Sequence, residues 1–305
     1  MTTPRVAVAP SDRDDLGGDI RAAGGEVVPP DEAEAIVWVD PGDPAGLGRL
    51  LGLSRVRWVQ LPFAGIEGFF AAGVIDPART WTCAKGIYGH STAEHALTLT
   101  LAGARRLDEY ARAVAWNPIG SERMLKSSTV LLVGTGGIGQ ALARMLEPLG
   151  PRILAVNRSG TPMEGAERTV TQGDLHEVLG EADFVALAPA LTPATKGMID
   201  RAALAAMKGS AWIVNVGRGP LIVTEDLVEA LERGEIGGAG LDVTDPEPLP
   251  AGHPLWKLPN VIITPHVANT WDMALPELRA LVRRNVERFA RGEPLEGLVD
   301  PAAGY

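Results

Sequence analysis

Apolar runs closed by Gly, Pro or Asp punctuate the first part of the chain: RVAVAP at 5–10, AIVWVD at 35–40, VRWVQLP at 56–62 and WTCAKG at 81–86. They are apolar almost throughout instead of alternating, which is the pattern of strands covered on both faces. Helical stretches at 11–23 and 47–53 fall between them. The order β-α-β-α-β therefore predicts a parallel sheet with helices on either side, flavodoxin-like and without a phosphate loop of its own. From Ser91 the sequence STAEHALTLTLAGARRLDEYARAVA offers a Ser as N-cap and Glu94 three residues later, the capping-box spacing, so a long helix is expected. WNPIGSERMLKSS at 116–128 has no sustained period and reads as a connection.

The strand pattern then returns at 129–134 (TVLLVG), 152–157 (RILAVN), 184–189 (FVALAP), 211–217 (AWIVNVG), 238–243 (GAGLDV) and 261–266 (VIITPH), with helical stretches between most of them. This predicts a second doubly wound parallel sheet. The last helix, 275–290, has apolar residues at helical spacing and ends near Gly292. It is too short to found a domain and is expected to pack back on the first unit. The domains expected are a discontinuous one at 1–98 and 276–305 and a second at 99–275.

Composition narrows the function. At 305 residues the chain has room for two domains of roughly 150 residues each. The 38 acidic residues against 28 Lys and Arg give a net charge of −10 with no basic run, which argues against nucleic acid as a partner. A single cysteine, Cys83, supplies neither an internal disulfide nor a thiolate cluster for a metal, as suits a reducing cytoplasm. No apolar stretch approaches the roughly 18 residues of a membrane span, and the apolar run after Arg5 is too short for a signal-peptide core.

The first chemical signal is VLLVGTGGIGQALARMLEPLG, in which Gly134, Gly136 and Gly139 form a G-x-G-x-x-G directly after a strand and at the start of an amphipathic helix. Gly134 permits the tight turn, Gly136 lets the backbone approach a pyrophosphate, and Gly139 lets helix and strand pack closely. The helix N-terminus, at Gly137 and Ile138, would hold the phosphates with its free amides. Ala141, Leu142, Met145 and Leu146 join Ile138 as the buried face. This makes 99–275 a Rossmann dinucleotide-binding domain. After the second strand of that unit the chain reads Asn157-Arg158-Ser159-Gly160-Thr161, with no carboxylate for a ribose 2′-hydroxyl. Arg158, with Ser159 and Thr161, suits a 2′-phosphate, so NADP(H) is favoured and NAD(H) is the alternative.

VNVGRGPLIVTEDLVEAL, GAGLDVTDPEPLP and NVIITPHVANT, in that order behind the GTGGIG turn, resemble the D-isomer-specific 2-hydroxy acid dehydrogenase family, from about Val56 to the end of the chain. The resemblance implies that Arg218 binds the substrate carboxylate and 2-oxo group, that His266 carries the proton, and that Glu247 backs the imidazole. These residue types suit the work: a guanidinium is always charged and forked, an imidazole titrates near neutrality, and a carboxylate on the far nitrogen fixes its tautomer. Asp242 aligns with the residue that accepts a hydrogen bond from the nicotinamide carboxamide. The resemblance also assigns the substrate carboxylate to the amides of Ala64 and Gly65, and sets Tyr88 and Trp271 as candidates for lining the pocket of the first, substrate-binding domain. The other histidines, His90, His95, His176 and His253, sit in helix or loop contexts that need no function.

Thr244 stands where an aromatic is common and IVTEDL replaces the more usual acidic start, which leaves the substrate side chain open. The implied reaction is reduction of a small 2-oxo acid, glyoxylate or hydroxypyruvate among them, to the D-2-hydroxy acid in the cleft between the domains. The resemblance further implies a homodimer formed through the nucleotide domain. Two alternatives share the fold: a phosphite-type dehydrogenase, and a dinucleotide-sensing binding protein without turnover.

Overall fold

Val6, Ala7, Val8 and Ala9 are all buried, and β1 (Arg5–Ala9) can be apolar along its length because it lies inside a parallel sheet. The computed structural model describes residues 3–11, 13–52 and 55–301. These form two units, Met1–Tyr88 with Trp271–Tyr305, and Gly89–Thr270. Residues 53 and 302–305, which end the expected second helix and the expected first domain, lie outside the described residues, as does residue 12 within the expected first helix.

In the first unit β1 is followed by α1 (Asp14–Ala22), β2 (Glu26–Val27), β3 (Ala35–Trp38), α2 (Pro44–Leu51), β4 (Trp58–Gln60), α3 (Glu67–Ala71) and β5 (Thr80–Thr82). The sheet order is β2-β1-β3-β4-β5, every pair parallel, which is the flavodoxin-like order. The expected strands are present but shorter, and α2 starts ahead of the expected 47 because Asp43 accepts a hydrogen bond from the Gly46 amide and Pro44 occupies the first turn. The chain's last helix spans Trp271–Arg291, longer than expected at its N-terminal end despite Pro276. Its buried residues Ala274, Leu278, Leu281, Val282 and Val286 share one core cluster with Leu16 and Ile20 of α1 and with Val6, Val8, Ala35 and Val37. This is the return to the first unit that the sequence predicts.

The second unit begins with α4 (Gly89–Ala104) and α5 (Leu107–Tyr110), then β6 (Thr129–Val133), α6 (Gly137–Leu146), β7 (Arg152–Asn157), β8 (Arg168–Thr171), α7 (Leu175–Leu179), β9 (Phe184–Leu187), α8 (Arg201–Ala206), β10 (Trp212–Asn215), α9 (Thr224–Glu232), β11 (Gly238–Leu241) and β12 (Val261–Ile263). Its sheet runs β12-β11-β10-β9-β6-β7-β8, all parallel. β6 lies between β7 and β9, where the strand order reverses, so the glycine turn leaves the sheet at the topological switch point. Two core clusters cover the sheet, one centred on Leu131, Val185 and Ile213, the other on Val130, Leu132, Phe184 and Trp212.

Two expectations need correction. Ser91 is not an N-cap: α4 begins at Gly89, where an added Cβ would stand 2.7 Å from the carbonyl carbon of Gly137, so the two helix starts pass backbone against backbone and draw the helix back beyond Ser91. The helix also stops at Ala104, because Arg106 takes a left-handed φ of 53° and a new short helix starts at Leu107. The unit boundaries fall at 88/89 and 270/271 rather than 98/99 and 275/276. The physical reason is that α4, buried at Ala93, Ala96 and Leu99, belongs whole to the core beneath β10, while the helix from Trp271 belongs whole to the first unit.

No helix among the described residues is long and apolar enough to cross a membrane.

Candidate active site

Parallel strands end together, and the residues of interest in the second unit follow four of those ends: Gly134 after β6, Arg218 after β10, Asp242 and Glu247 after β11, and His266 after β12. Gly134 has φ +100°, and an added Cβ there would lie 2.7 Å from backbone atoms of Ala188 and Pro189. At Gly139 it would lie 2.1 Å from the Gly134 carbonyl oxygen, while at Gly136 it would meet nothing within 4 Å. Turn, close packing and open approach thus fall on the three glycines in the roles their spacing implies. Gly136 is the N-cap of α6 and no side chain caps it, so the first amides around Gly137 and Ile138 form an anion-holding end. This cradle fits a dinucleotide pyrophosphate.

At the end of β7, Arg158 and Ser159 are exposed. Asn157 organises the loop: its Nδ2 donates to the Thr161 carbonyl (2.8 Å) and its Oδ1 accepts from the Ser159 amide (3.1 Å), while the Ser159 and Thr161 hydroxyls are bonded to each other at 2.7 Å.

Arg218 is held by its backbone. The buried Asn215 donates from Nδ2 to the Arg218 carbonyl (2.9 Å) and accepts the Gly217 amide (3.1 Å), and Arg218 Nη1 donates to the Gly217 carbonyl at 2.7 Å. A Cβ on Gly219 would sit 1.9 Å from the Thr244 carbonyl oxygen, and the Thr224 hydroxyl donates to the Asp245 carbonyl at 2.6 Å. The arginine loop therefore packs on the loop that carries Glu247. Thr244 turns inward, buried, with its hydroxyl donated to the Pro246 carbonyl at 2.9 Å.

His266 Nδ1 lies 2.6 Å from Glu247 Oε1, and both side chains are about half exposed. With the carboxylate on Nδ1, that nitrogen carries a hydrogen and Nε2 is the one available for proton exchange. His266 also has a left-handed φ of 54°, a conformation costing a non-glycine residue about 1–2 kcal/mol. Three successive amides offset it: His266 N–H donates to the Asp242 carbonyl (2.8 Å), Val267 N–H to Asp242 Oδ1 (2.9 Å) and Ala268 N–H to Oδ2 (3.0 Å). Hydrogen bonds to a charged acceptor contribute about 1.5–3 kcal/mol each, enough to hold the turn. Asp242 is itself 2% exposed and accepts the Thr264 hydroxyl at 2.6 Å. In this fold its carboxylate is occupied mainly in shaping the loop that bears His266.

Sequence reasoning missed Asn215, Thr224, Thr264 and His95. His95 Nε2 lies 2.8 Å from Thr264 Oγ1 and 3.4 Å from Asp242 Oδ1. No local signal marks His95, because α4 also carries His90, Thr92, Glu94, Thr98 and Thr100, so polarity on the helix does not single it out.

In the first unit, Ala64 and Gly65 follow β4, and neither amide has a hydrogen-bond partner among the described residues. Tyr88 is buried, its hydroxyl donating to the Pro62 carbonyl at 2.7 Å, and burial raises its pKa, so it remains a neutral donor that packs the Ala64 loop from inside. Trp271 stands edge-on to Phe63 at 5.8 Å, with the Arg13 guanidinium 4.8 Å over its ring.

Burial alone would raise the Asp242 carboxyl, but hydrogen bonds from His95, Thr264 and the Val267 and Ala268 amides outweigh it and hold the group below its ordinary 3.8. A carboxylate with a depressed folded pKa stabilises the native state at every pH above its unfolded value, and that contribution fades as pH falls through the folded value. Asp242→Asn should therefore lower the urea midpoint at neutral pH, and the gap to wild type should narrow only below about pH 3.8. A gap that stays constant down to about pH 3 contradicts an ionised Asp242.

Comparison with known proteins identifies the family. Residues 96–268 match the family model of the D-isomer specific 2-hydroxyacid dehydrogenase, NAD binding domain. An uncharacterized protein of Corynebacterium melassecola is 43% identical over 256 residues, 82% of this chain and 84% of that one. The human glyoxylate reductase/hydroxypyruvate reductase is 38% identical over 213 residues, 67% of this chain and 65% of the human one. The structure of an NADPH-dependent glyoxylate/hydroxypyruvate reductase from Sinorhizobium meliloti, in complex with NADP and sulfate, superposes over 100% of both chains with a TM-score of 0.80 at 27% identity. The chain belongs to the D-isomer specific 2-hydroxyacid dehydrogenase family, whose members are nicotinamide-dependent oxidoreductases.

Proposed function

We propose that this protein reduces a small 2-oxo acid to the D-2-hydroxy acid with NADPH as reductant. The observation that carries the reading is the His266–Glu247 pair, 2.6 Å apart, held at the same sheet edge as the glycine turn and Arg218. Bound at that turn, the dinucleotide supplies the hydride. Arg218 offers a fixed guanidinium to the substrate carboxylate, its loop being locked by Asn215 and packed on Thr244. His266 gives the Nε2 proton to the carbonyl oxygen as negative charge develops there. Glu247 holds Nδ1–H and stabilises the imidazolium that starts the step.

Glyoxylate and hydroxypyruvate are the favoured substrates, supported by the activities named for the human and Sinorhizobium relatives. NADPH is favoured because β7 ends without a carboxylate and is followed by the exposed Arg158 and Ser159 and by Thr161, a guanidinium and two hydroxyls whose chemistry suits a 2′-phosphate. A homodimer is supported by Val114 and Trp116, fully exposed apolar side chains on the connection between α5 and β6.

A panel of 2-oxo acids, followed by loss of NADPH absorbance, should show turnover for glyoxylate or hydroxypyruvate. His266→Ala should lower kcat by about 10² to 10⁴ with the fold intact; near-normal turnover removes His266 as proton carrier. NADPH binding with no turnover on the whole panel would favour a sensing role. Arg158→Ala should raise KM for NADPH roughly tenfold or more and leave KM for NADH nearly unchanged; equal effects on both cofactors end the 2′-phosphate assignment. Trp116→Ser should shift a dimer towards monomer in sedimentation velocity, and a wild-type monomer would dismiss the exposed pair as an interface.

A further inference from the structure

His95 is a polar residue of α4 far from His266 in sequence, yet its contacts reach the loop that bears that imidazole. The hydrogen bonds have one consistent direction. The Thr264 hydroxyl sits 2.6 Å from Asp242 Oδ1 and, the carboxylate being an acceptor only, spends its proton there. Thr264 Oγ1 must then accept from His95 Nε2 at 2.8 Å, so Nε2 carries a hydrogen. His95 reaches Asp242 through Thr264 and also directly, its Nε2 lying 3.4 Å from Asp242 Oδ1, and Asp242 receives the amides of Val267 and Ala268 and, at its carbonyl, that of His266. One turn earlier on the same helix face, the Ser91 hydroxyl donates to Asn269 Oδ1 at 2.8 Å. The helix thus grips the 264–269 segment at both ends, on either side of His266.

The grip is firm because α4 is. Ala93, Ala96 and Leu99 are buried against β10 and α6, and Gly89 meets Gly137 backbone to backbone. A loop tied to that helix inherits its position.

We propose that His95 is a positioning residue: its Nε2–H, acting through Thr264 and Asp242, fixes the left-handed turn that presents the His266 imidazole. His95 touches neither His266 nor Glu247, and its work is to select the loop conformation. This role rests on the proposed function only for its consequence in turnover; the conformational part is independent of it.

The test uses the whole chain with His95→Ala, His95→Gln and Thr264→Val. Hydrogen–deuterium exchange of the unliganded proteins reads the amides of 266–268, which these hydrogen bonds protect. His95→Ala and Thr264→Val should each speed exchange there by about tenfold or more with amides of β6 and β9 unchanged, and should lower kcat by roughly ten- to a hundredfold with KM for the 2-oxo acid nearly unaltered. Gln, whose side-chain amide can stand in for Nε2–H, should restore most of the protection and of kcat. Unchanged exchange at 266–268 in both disrupting variants overturns the proposal. So does faster exchange spread through the unit with a lowered Tm, which marks a merely structural histidine; should His95→Ala fail to fold, Thr264→Val and His95→Gln decide. If His266 were not the proton carrier, exchange would still respond as stated while His266→Ala kept its activity, so the two failures are told apart.

Discussion

The arrangement depends on one buried residue, Asp242, that gathers three consecutive backbone amides, two of them at its carboxylate. Asp242 takes the N–H groups of residues 266, 267 and 268, the first at its carbonyl and the next two at its side chain. Successive amides converge in this way only when the chain turns through a left-handed residue, and that residue here is His266, φ 54°. An isolated β-strand end would let the histidine follow the sheet. The cluster of donors on Asp242 instead bends it out of line and fixes its side chain beside Glu247.

The sheet supplies the remaining order. Because β10, β11 and β12 are parallel neighbours, the loops that leave their carboxyl ends are neighbours too, and one short-range contact suffices to register each on the next. Gly219 against Thr244 and Thr224 on Asp245 tie the arginine loop to the glutamate loop; Asp242 ties the glutamate loop to the histidine loop. Each tie is a backbone contact or a bond from a buried side chain to backbone.

Much of this was legible in the sequence, for physical reasons that also mark its limits. The six strands expected in the second unit are all present, because runs buried on both faces announce themselves by composition. β8, Arg168–Thr171, escaped because RTVT is half exposed and mixed in character. The glycine turn was readable because steric need at Gly134 and Gly139 is local to the turn and its neighbouring strand. Ser91 misled: its spacing to Glu94 matches a cap, but the contact of Gly89 with Gly137 is tertiary and moved the helix start. His95 was read as idle for the same reason. Nothing at a helix position in α4 discloses a partner 169 residues further on.

The magnitudes indicate which contacts set the geometry and which tune the chemistry. The His266–Glu247 pair is short, but with the histidine side chain 50% and the glutamate 41% exposed it falls among surface ion pairs, which contribute about 0–1 kcal/mol. That is too little to hold a residue in a conformation costing about 1–2 kcal/mol. The buried bonds to Asp242 are fewer in charge but stronger in effect, since burial leaves their donors no water to turn to. Orientation of the imidazole therefore comes from beneath, through the backbone, while Glu247 is left to select the tautomer and stabilise the protonated ring. Separating the two tasks lets the carboxylate stay accessible to a proton and the turn stay rigid, which a single buried partner could not do for both.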